Sequence, residues 1–272
     1  MSRKRFKNAI LSVHACPLGE LGTKDTGGMS VYIREIARQL GLKGHHVDIF
    51  TRFHGPGHAR VISLAKNVRL IHLKAGSDGM SSKLALYAHL AQFTSGIDEF
   101  RRREQMDYDL IHSHYWLSGL VGLRLQAVWG VPHVVMFHTL GAVKNKMGAA
   151  KDESGLRIEA EREVIRGCHG IIAATERERN ELVEHYQARP EIISVVPCGV
   201  NLDLFRLGDK ASARRQIGLD EKDKVILYVG RIDPLKGLDR LIQTVGYLKE
   251  KRNLKLVLVG GDDQPLTEMK RL

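Results

Sequence analysis

The feature that most constrains this chain is a regular alternation of short apolar runs with amphipathic helical stretches. The apolar runs are expected to be strands, and they lie at residues 8–13, 46–51, 68–73, 110–113, 134–137, 170–174 and 192–196. Continuous apolar strands separated by helices are typical of a parallel sheet that is covered on both faces. Because crossovers between parallel strands are right-handed, the sequence predicts an α/β fold with a doubly wound, Rossmann-like parallel sheet.

The stretches between these runs repeat apolar residues at steps of three and four, which is the period of a helix. The first such pattern starts at Met29 and is ended by Gly41. The next predicts one long helix, from a cap at Ser81 or Ser82 to about Arg103. Further helices are predicted over 117–128, 154–166 and 176–186.

The alternation breaks over residues 197–222, which are rich in turn residues and contain one short helical pattern, and then it restarts. A strand, a helix and a strand are predicted at 225–230, 237–249 and 256–261. We therefore expect an N-terminal domain over 1–200, a linker over 201–222 and the start of a second α/β domain over 223–272. Two parallel strands cannot cover their own faces, so this second domain is expected to be incomplete.

The formal charge of +11 is compatible with nucleic acid, an anionic membrane surface or a phosphorylated small molecule as a partner. The basic clusters at 3–5 and 101–103 lack the interleaved aromatic residues of single-strand binding, so no nucleic acid is expected. Peripheral contact with the anionic inner face of a membrane stays open.

Targeting and cysteine patterns favour the cytoplasm. No apolar run approaches the roughly 18 residues of a membrane-spanning helix, and the basic N-terminus is not followed by the apolar region of a secretory signal. The cysteines, Cys16, Cys168 and Cys198, form no CxxC pair, which is typical of a reducing compartment.

Gly27 and Gly28 stand just before the first predicted helix. Glycines let the backbone approach a ligand closely, and a helix N-terminus offers free N–H groups to an anion; a flexible loop with a glycine cap is the alternative. The dinucleotide fingerprint GxGxxG is absent after the first strand, and the second strand ends in Thr51 and Arg52 instead of an acidic residue for a ribose. An NAD-dependent oxidoreductase is therefore disfavoured.

Histidines follow two neighbouring strands. His112 and His114 stand at the end of one strand, and His138 stands at the end of the next. Together they offer nitrogen ligands for a metal ion, but no carboxylate lies beside them at ligand spacing. We therefore expect no metal.

Arg231 and Lys236 lie between a predicted strand and a predicted helix in the second domain. A planar guanidinium and an ammonium are the two usual cations for a phosphate, and the helix that follows adds its dipole. The alternative is a surface loop with two solvated cations.

Five motifs, taken in their order along the chain, resemble family 4 glycosyltransferases of the GT-B fold. They are Gly27-Gly28, His112-Ser113-His114-Tyr115-Trp116, Phe137-His138-Thr139-Leu140, Val196-Pro197-Cys198-Gly199-Val200-Asn201 with Phe205, and Val229-Gly230-Arg231-Ile232-Asp233-Pro234-Leu235-Lys236-Gly237. The similarity points to the branch of sucrose-phosphate synthases and D-inositol-3-phosphate glycosyltransferases, and Arg157-Ile158-Glu159-Ala160-Glu161 resembles a run in the former. It covers essentially the whole chain.

The resemblance implies a retaining hexosyltransferase with two facing Rossmann-like domains. It implies transfer of a sugar from a nucleotide-diphosphate donor, UDP-linked, to an acceptor hydroxyl, with no metal or other cofactor. Arg231 and Lys236 would bind the diphosphate and stabilise the charge on the leaving group, while Gly27 and Gly28 would approach the donor phosphates. His138 would contact the transferred sugar, and a histidine in place of a carboxylate nucleophile favours front-face attack.

The resemblance also implies an acceptor site in the N-terminal domain. Lys83, Tyr115, Thr139 and Arg157 match positions that surround a phosphorylated acceptor in relatives, and a sugar phosphate or an inositol phosphate would suit them. The alternatives are that Lys83 and Arg157 are solvated helix residues and that Tyr115 is a core aromatic residue.

The chain departs from the family pattern after Asp262. Members continue for roughly another domain's worth of α/β units with a Glu-x7-Glu motif, and Glu268 here has no such partner. We therefore expect little or no transferase activity from this chain alone. Two other functions stay open: a GT-B-related sugar-nucleotide epimerase, and a non-catalytic basic module that binds a membrane or a nucleotide.

Overall fold

The computed structural model describes residues 4–19, 26–53, 59–77, 82–148, 153–230, 232, 236–248 and 253–260. The chain divides into two compact units, one formed by residues 1–19 and 28–198 and the other by 20–27 and 199–272. The domain limits expected from the sequence remain predictions. No helix within the described ranges is long and apolar enough to cross a membrane.

The first unit is built around an eight-stranded sheet. Its strands are β1 (Lys7–Ser12), β2 (His46–Arg52), β3 (Val61–Ala65), β4 (Val68–Leu73), β5 (Leu110–His114), β6 (His133–Met136), β7 (Gly170–Ala173) and β8 (Ile193–Val195). Their spatial order is β3-β4-β2-β1-β5-β6-β7-β8, and every neighbouring pair is parallel except β3–β4. The chain thus winds outward from β1 in one direction and from β5 in the other, which confirms the predicted doubly wound α/β fold.

Helices cover both faces of this sheet. They are α1 (Gly28–Leu42), α2 (Lys83–Tyr87), α3 (Leu90–Arg103), α4 (Tyr115–Trp129), α5 (Gly141–Lys146), α6 (Gly155–Gly167) and α7 (Glu176–Tyr186). Side chains that accept a hydrogen bond from a backbone N–H cap α2, α6 and α7, and these caps are Ser82, Ser154 and Thr175.

Three local features differ from the sequence prediction. The antiparallel edge strand β3 was not expected, and α5 is too short to show a helical period. The single long helix predicted to end near Arg103 is two helices, because the backbone tightens at their junction. There the N–H groups of Ala88 and His89 donate to carbonyls three residues back, at 3.3 Å and 2.9 Å, and end α2.

Helix α4 lies at the centre of the first unit, and two glycines let it approach its neighbours. A Cβ added to Gly119 would come within 2.8 Å of Val164 on α6, and one added to Gly122 would lie 2.3 Å from the His133 ring. A larger side chain at either position would displace α4 or the side chains packed against it, so close packing sets how near α4 lies to its neighbours.

The second unit contains α8 (Lys210–Gln216), β9 (Lys224–Val229), α9 (Leu238–Gly246) and β10 (Leu254–Val259). Strands β9 and β10 pair in parallel. Leu227, Val229 and Val259 on these strands are exposed, so the described part of this unit leaves apolar sheet surface uncovered.

A buried ion pair ties the sheet together at the amino end of β2. Arg69 donates to both oxygens of Asp48 at 2.8 Å, and the Tyr108 hydroxyl donates to Oδ2 at 2.7 Å. His46 lies 3.1 Å from Oδ1. Burial alone would raise the pKa of Asp48, but these hydrogen bonds outweigh it and hold the pKa at about 2.

We predict that Asp48→Asn lowers the free energy of unfolding by about 3 kcal/mol at neutral pH, because Arg69 loses its buried carboxylate partner and keeps only the partly exposed Glu104. A depressed carboxyl pKa contributes stability that is present above the unfolded value of about 3.9 and is lost as the pH falls through about 2. The difference between wild type and variant should therefore shrink below pH ~4 in urea titrations. Asp107→Asn, which removes an exposed partner of Arg101, is the matched control; equal losses in the two variants would contradict the prediction.

Candidate functional site

The order of the strands reverses between β1 and β5, and open α/β sheets bind ligands at the carboxyl ends of the strands on either side of such a point. Strand β5 ends at His114, and α4 begins at the next residue with no loop between them. Tyr115 makes this junction in the left-handed region, with φ of 76°. A non-glycine residue held in this region is strained, and such residues cluster at functional sites.

Two cations flank the Tyr115 ring. The Arg157 guanidinium carbon lies 4.8 Å from the ring centroid, and the Lys83 Nζ lies 5.4 Å from it. Both distances are within the range of cation–π attraction. Burial raises the pKa of Tyr115 to about 12, so its hydroxyl keeps its proton at neutral pH.

Arg157 is fully engaged in this position. Its Nη2 donates to the carbonyl and the hydroxyl of Thr139, at 2.9 Å and 3.1 Å, and its Nε donates to Glu161 at 2.8 Å. Its Nη1 lies 2.7 Å from a carboxylate oxygen of Glu153. The side chain is 2% exposed, so the alternative that Arg157 is a solvated helix residue is wrong.

Glu161 is the buried counter-ion of Arg157. Besides the guanidinium, it accepts hydrogen bonds from the Tyr186 hydroxyl and from the Gly141 N–H, which is 2.9 Å away. The Tyr186 hydroxyl in turn accepts from the Ala142 N–H at 2.9 Å. Burial raises the pKa of Glu161, and these donors oppose it by favouring the ionised form. Helices α6 and α7 thereby hold the loop between β6 and α5.

The structure thus brings together the four residues expected at the acceptor. Lys83 comes from α2, Tyr115 from α4, Thr139 from the loop after β6, and Arg157 from α6. The alternative expected for Tyr115 was a core aromatic residue, and its ring does belong to the hydrophobic core. The sequence analysis missed the partners of Arg157, although Glu153 and Glu161 stand one helical turn before and after it, the spacing of a helical ion pair.

The histidines form a second group, next to these residues. His138 also has a left-handed backbone, with φ of 61°, and its Nε2 lies 2.9 Å from Nδ1 of His114. The ring of His112 packs against that of His114 at a tilt of 44°, with centroids 4.3 Å apart. Burial lowers the pKa of His112 to about 4, and burial with the neighbouring His112 lowers that of His138 to about 4. Across the described ranges, no three His, Cys, Asp or Glu side chains are arranged to hold a metal ion.

The residues expected at the donor are only partly described. Arg231 lies outside the described residues, while Lys236 is exposed just before α9. Gly28 is the first residue of α1, and a Cβ added to Gly27 or Gly28 would meet no atom within 4 Å, so the backbone there is open to a ligand.

The basic cluster at 101–103 is not a free cationic patch. Arg101 and Arg102 pair with Asp98, and Arg103 pairs with Glu104. Contact with an anionic membrane stays a prediction, and these three arginines do not support it because their charges are compensated.

A doubly wound sheet with cations at its carboxyl edge and no acidic residue at the end of β2 has the fold of the Rossmann-like proteins but lacks the ribose-binding carboxylate of the dinucleotide-binding enzymes. The sequence model of Glycosyltransferase Family 4 matches residues 26–204, and that of Glycosyl transferases group 1 matches residues 209–271. The chain belongs to glycosyltransferase family 4.

Two relatives named as D-inositol 3-phosphate glycosyltransferases support this membership. The D-inositol 3-phosphate glycosyltransferase of Corynebacterium glutamicum (strain R) is 40% identical over 265 residues, which are 94% of this chain and 63% of the relative. The D-inositol 3-phosphate glycosyltransferase 2 of Catenulispora acidiphila is 43% identical over 264 residues, which are 93% of this chain and 61% of the relative. The chain therefore spans about three fifths of the length of these relatives.

Solved structures show the same fold. Sucrose-phosphate synthase from Thermosynechococcus elongatus has a TM-score of 0.87 and 31% identity, and the match covers 96% of this chain and 64% of that one. Anabaena HepE in complex with UDP-glucose has a TM-score of 0.70 at 15% identity, over 98% of this chain and 65% of that one, and it shows the fold alone. The GT-B fold class is thereby confirmed, and the epimerase and binding-module alternatives are not favoured.

We predict that His138 remains neutral well below the usual histidine range. Burial lowers the pKa of His138 in the folded chain to about 4, while in the unfolded chain it is about 6.5. The neutral ring therefore contributes to the free energy of unfolding above pH ~6.5, and this contribution is lost as the pH falls through about 4. The ring C–H signals of His138, assigned by their absence in His138→Asn, should stay fixed in NMR spectra from pH ~8 to ~5.5. A midpoint near pH ~6.5 would show that the ring is solvated and would contradict the described burial.

Proposed function

We propose that this chain provides the acceptor side of a retaining, metal-independent glycosyltransferase whose acceptor is a phosphorylated polyol, with an inositol phosphate as the first candidate. The observation that carries the proposal is the gathering of Lys83, Thr139 and Arg157 around the Tyr115 ring. An ammonium, a hydroxyl and a guanidinium are the groups that recognise a phosphate. The relatives named as D-inositol 3-phosphate glycosyltransferases support an inositol phosphate over other acceptors.

On the donor side, we propose a nucleotide-diphosphate sugar that is UDP-linked. Arg231 and Lys236 would stabilise the negative charge that develops on the leaving diphosphate, which is the role that a metal ion has in other transferases. HepE shares only the fold, but its complex with UDP-glucose makes UDP the first nucleotide to test. His138 would contact the transferred sugar as a neutral ring, because its pKa is lowered to about 4.

The acceptor phosphate has a competitor within the chain. The Glu153 carboxylate contacts both Arg157 and Lys144, and it is partly exposed at the edge of the cluster. Burial opposes its charge, but Lys144 and Arg157 outweigh this and lower the pKa of Glu153. We infer that the phosphate replaces this carboxylate at Nη1 of Arg157 when the acceptor binds.

Replacing Lys83 tests whether the site recognises phosphate. Lys83→Met keeps the aliphatic chain and removes the charge, so calorimetry should show at least about a tenfold weaker affinity for D-inositol 3-phosphate. Binding of unphosphorylated inositol should change far less. The matched control is Lys66→Met, in the β3–β4 turn at the opposite edge of the sheet. Equal losses for both ligands, or no difference between the two variants, would reject a phosphate site at Lys83.

Replacing Glu153 tests the exchange of one anion for another. Glu153→Gln should strengthen the binding of D-inositol 3-phosphate by roughly threefold or more, because a partly exposed ion pair contributes up to about 1 kcal/mol that the ligand otherwise has to displace. Glu159→Gln, on the exposed side of α6, removes one charge without touching Arg157 and should change the affinity much less. Weaker binding by Glu153→Gln would show that Glu153 supports the site instead of competing with the ligand.

A further inference from the structure

The ring of His138 is held rigidly, although it stands in a loop. Its Nε2 is 2.9 Å from Nδ1 of His114, and the edge of the Tyr32 ring packs against both imidazoles, with centroids 5.5 Å and 5.7 Å away. The left-handed backbone of His138 sets the direction in which its side chain leaves the loop. One ring nitrogen, Nε2, therefore faces His114, and the other, Nδ1, points away from it.

The two imidazoles share a single proton between the facing nitrogens. Burial lowers the pKa of His114 well below its ordinary value, and the pKa of His138 is lowered as well, so both rings are neutral at neutral pH. A neutral imidazole has one N–H and one lone pair. Two arrangements are then possible: His114 donates from Nδ1, or His138 donates from Nε2.

The surroundings of His114 distinguish these arrangements. Its Nε2 is buried and has no hydrogen-bond partner among the described residues. If His138 donated, His114 would carry its own proton on Nε2, as a buried N–H with no acceptor. If His114 donates from Nδ1, only a lone pair is left at Nε2. Orphaned buried N–H groups are the rarer case in native proteins, so donation by His114 is favoured.

We propose that His114 is a positioning residue that sets the tautomer of His138. The Nδ1–H of His114 donates to Nε2 of His138, so the proton of His138 resides on its Nδ1, and that nitrogen is a hydrogen-bond donor to an oxygen atom of the sugar nucleotide. This inference rests on the proposed function for its ligand, but the tautomer itself is a property of the chain without a ligand.

The tautomer can be measured directly with 15N-histidine labelling of the full 272-residue chain, in the absence of any ligand. We expect Nδ1 of His138 and Nδ1 of His114 to show the 15N shifts and one-bond proton couplings of protonated ring nitrogens. Nε2 of His138 is expected to show the shift of an unprotonated one. A protonated Nε2 on His138 would overturn the proposal.

Replacing His114 by an acceptor tests whether this residue sets the tautomer of His138. The carboxylate of His114→Asp has no proton to donate, so Nε2 of His138 should become protonated and donate to it. His112→Asn is the matched control, because His112 is also buried and lies against the His114 ring, and in this variant the proton of His138 should stay on Nδ1. A folded His114→Asp chain in which Nε2 of His138 stays unprotonated would overturn the proposal, and if this variant does not fold, the wild-type spectrum decides.

Failure of the proposed function would give a different result. If the chain bound no sugar nucleotide or inositol phosphate, the ligand-free spectra would still show which nitrogen of His138 carries the proton. If the ligands bound but His138 were protonated on Nε2, the proposed function would stand and the role of His114 would be rejected.

Discussion

The buried ion pair between Arg157 and Glu161 is the interaction on which the rest of the candidate site depends. Both side chains are almost completely removed from water. Removing two charges from water has a large free-energy cost, which a packed pair of apolar side chains would not have. The pair is compensated by further donors and acceptors: Thr139 accepts from the guanidinium, while Tyr186 and the Gly141 N–H donate to the carboxylate. One charged cluster therefore joins α6, α7 and the loop after β6.

This arrangement suits recognition better than stability. A guanidinium that is locked at 4.8 Å from the Tyr115 ring has already lost its conformational entropy, so a ligand does not have to order it. The histidines beside it differ from this guanidinium, because burial keeps them uncharged. A fixed guanidinium on α6 and a neutral, oriented imidazole in the loop after β6 thus lie close together at the carboxyl edge of the same sheet. The net charge of the chain does not reveal either of these two groups, because many of its cations, such as Arg101 and Arg102, are paired with a nearby carboxylate.

The sequence predicts what local periodicity and turn chemistry control. The parallel strands and most helices follow from apolar runs and helical periods. Lys83, Tyr115, Thr139 and Arg157 were instead expected together from the resemblance to a family, and their role at an acceptor stays a prediction. It does not predict β3, whose five residues are only partly buried, or α5, whose six residues are shorter than two helical turns. Tyr186 could not be identified either, because its role arises from α6 and α7 packing beside a loop of another strand. Glu161 was missed although it stands one helical turn after Arg157, the spacing of a helical ion pair. The buried role of Asp48 could not be predicted for the same reason as that of Tyr186, since its partners Arg69 and Tyr108 are distant in the sequence.

A double-mutant cycle on the central ion pair tests the account most directly. Arg157→Met and Glu161→Leu should each lower the free energy of unfolding by about 3 kcal/mol, because the first leaves Glu161 without a cation and the second leaves Arg157 with Glu153 as its one carboxylate partner among the described residues. The double variant should recover much of that loss, since two apolar side chains replace the pair, yet it should not bind D-inositol 3-phosphate. Additive losses of stability would show that the two charges are not coupled. A double variant that binds D-inositol 3-phosphate as tightly as the wild type would show that Arg157 has no part in recognising the acceptor.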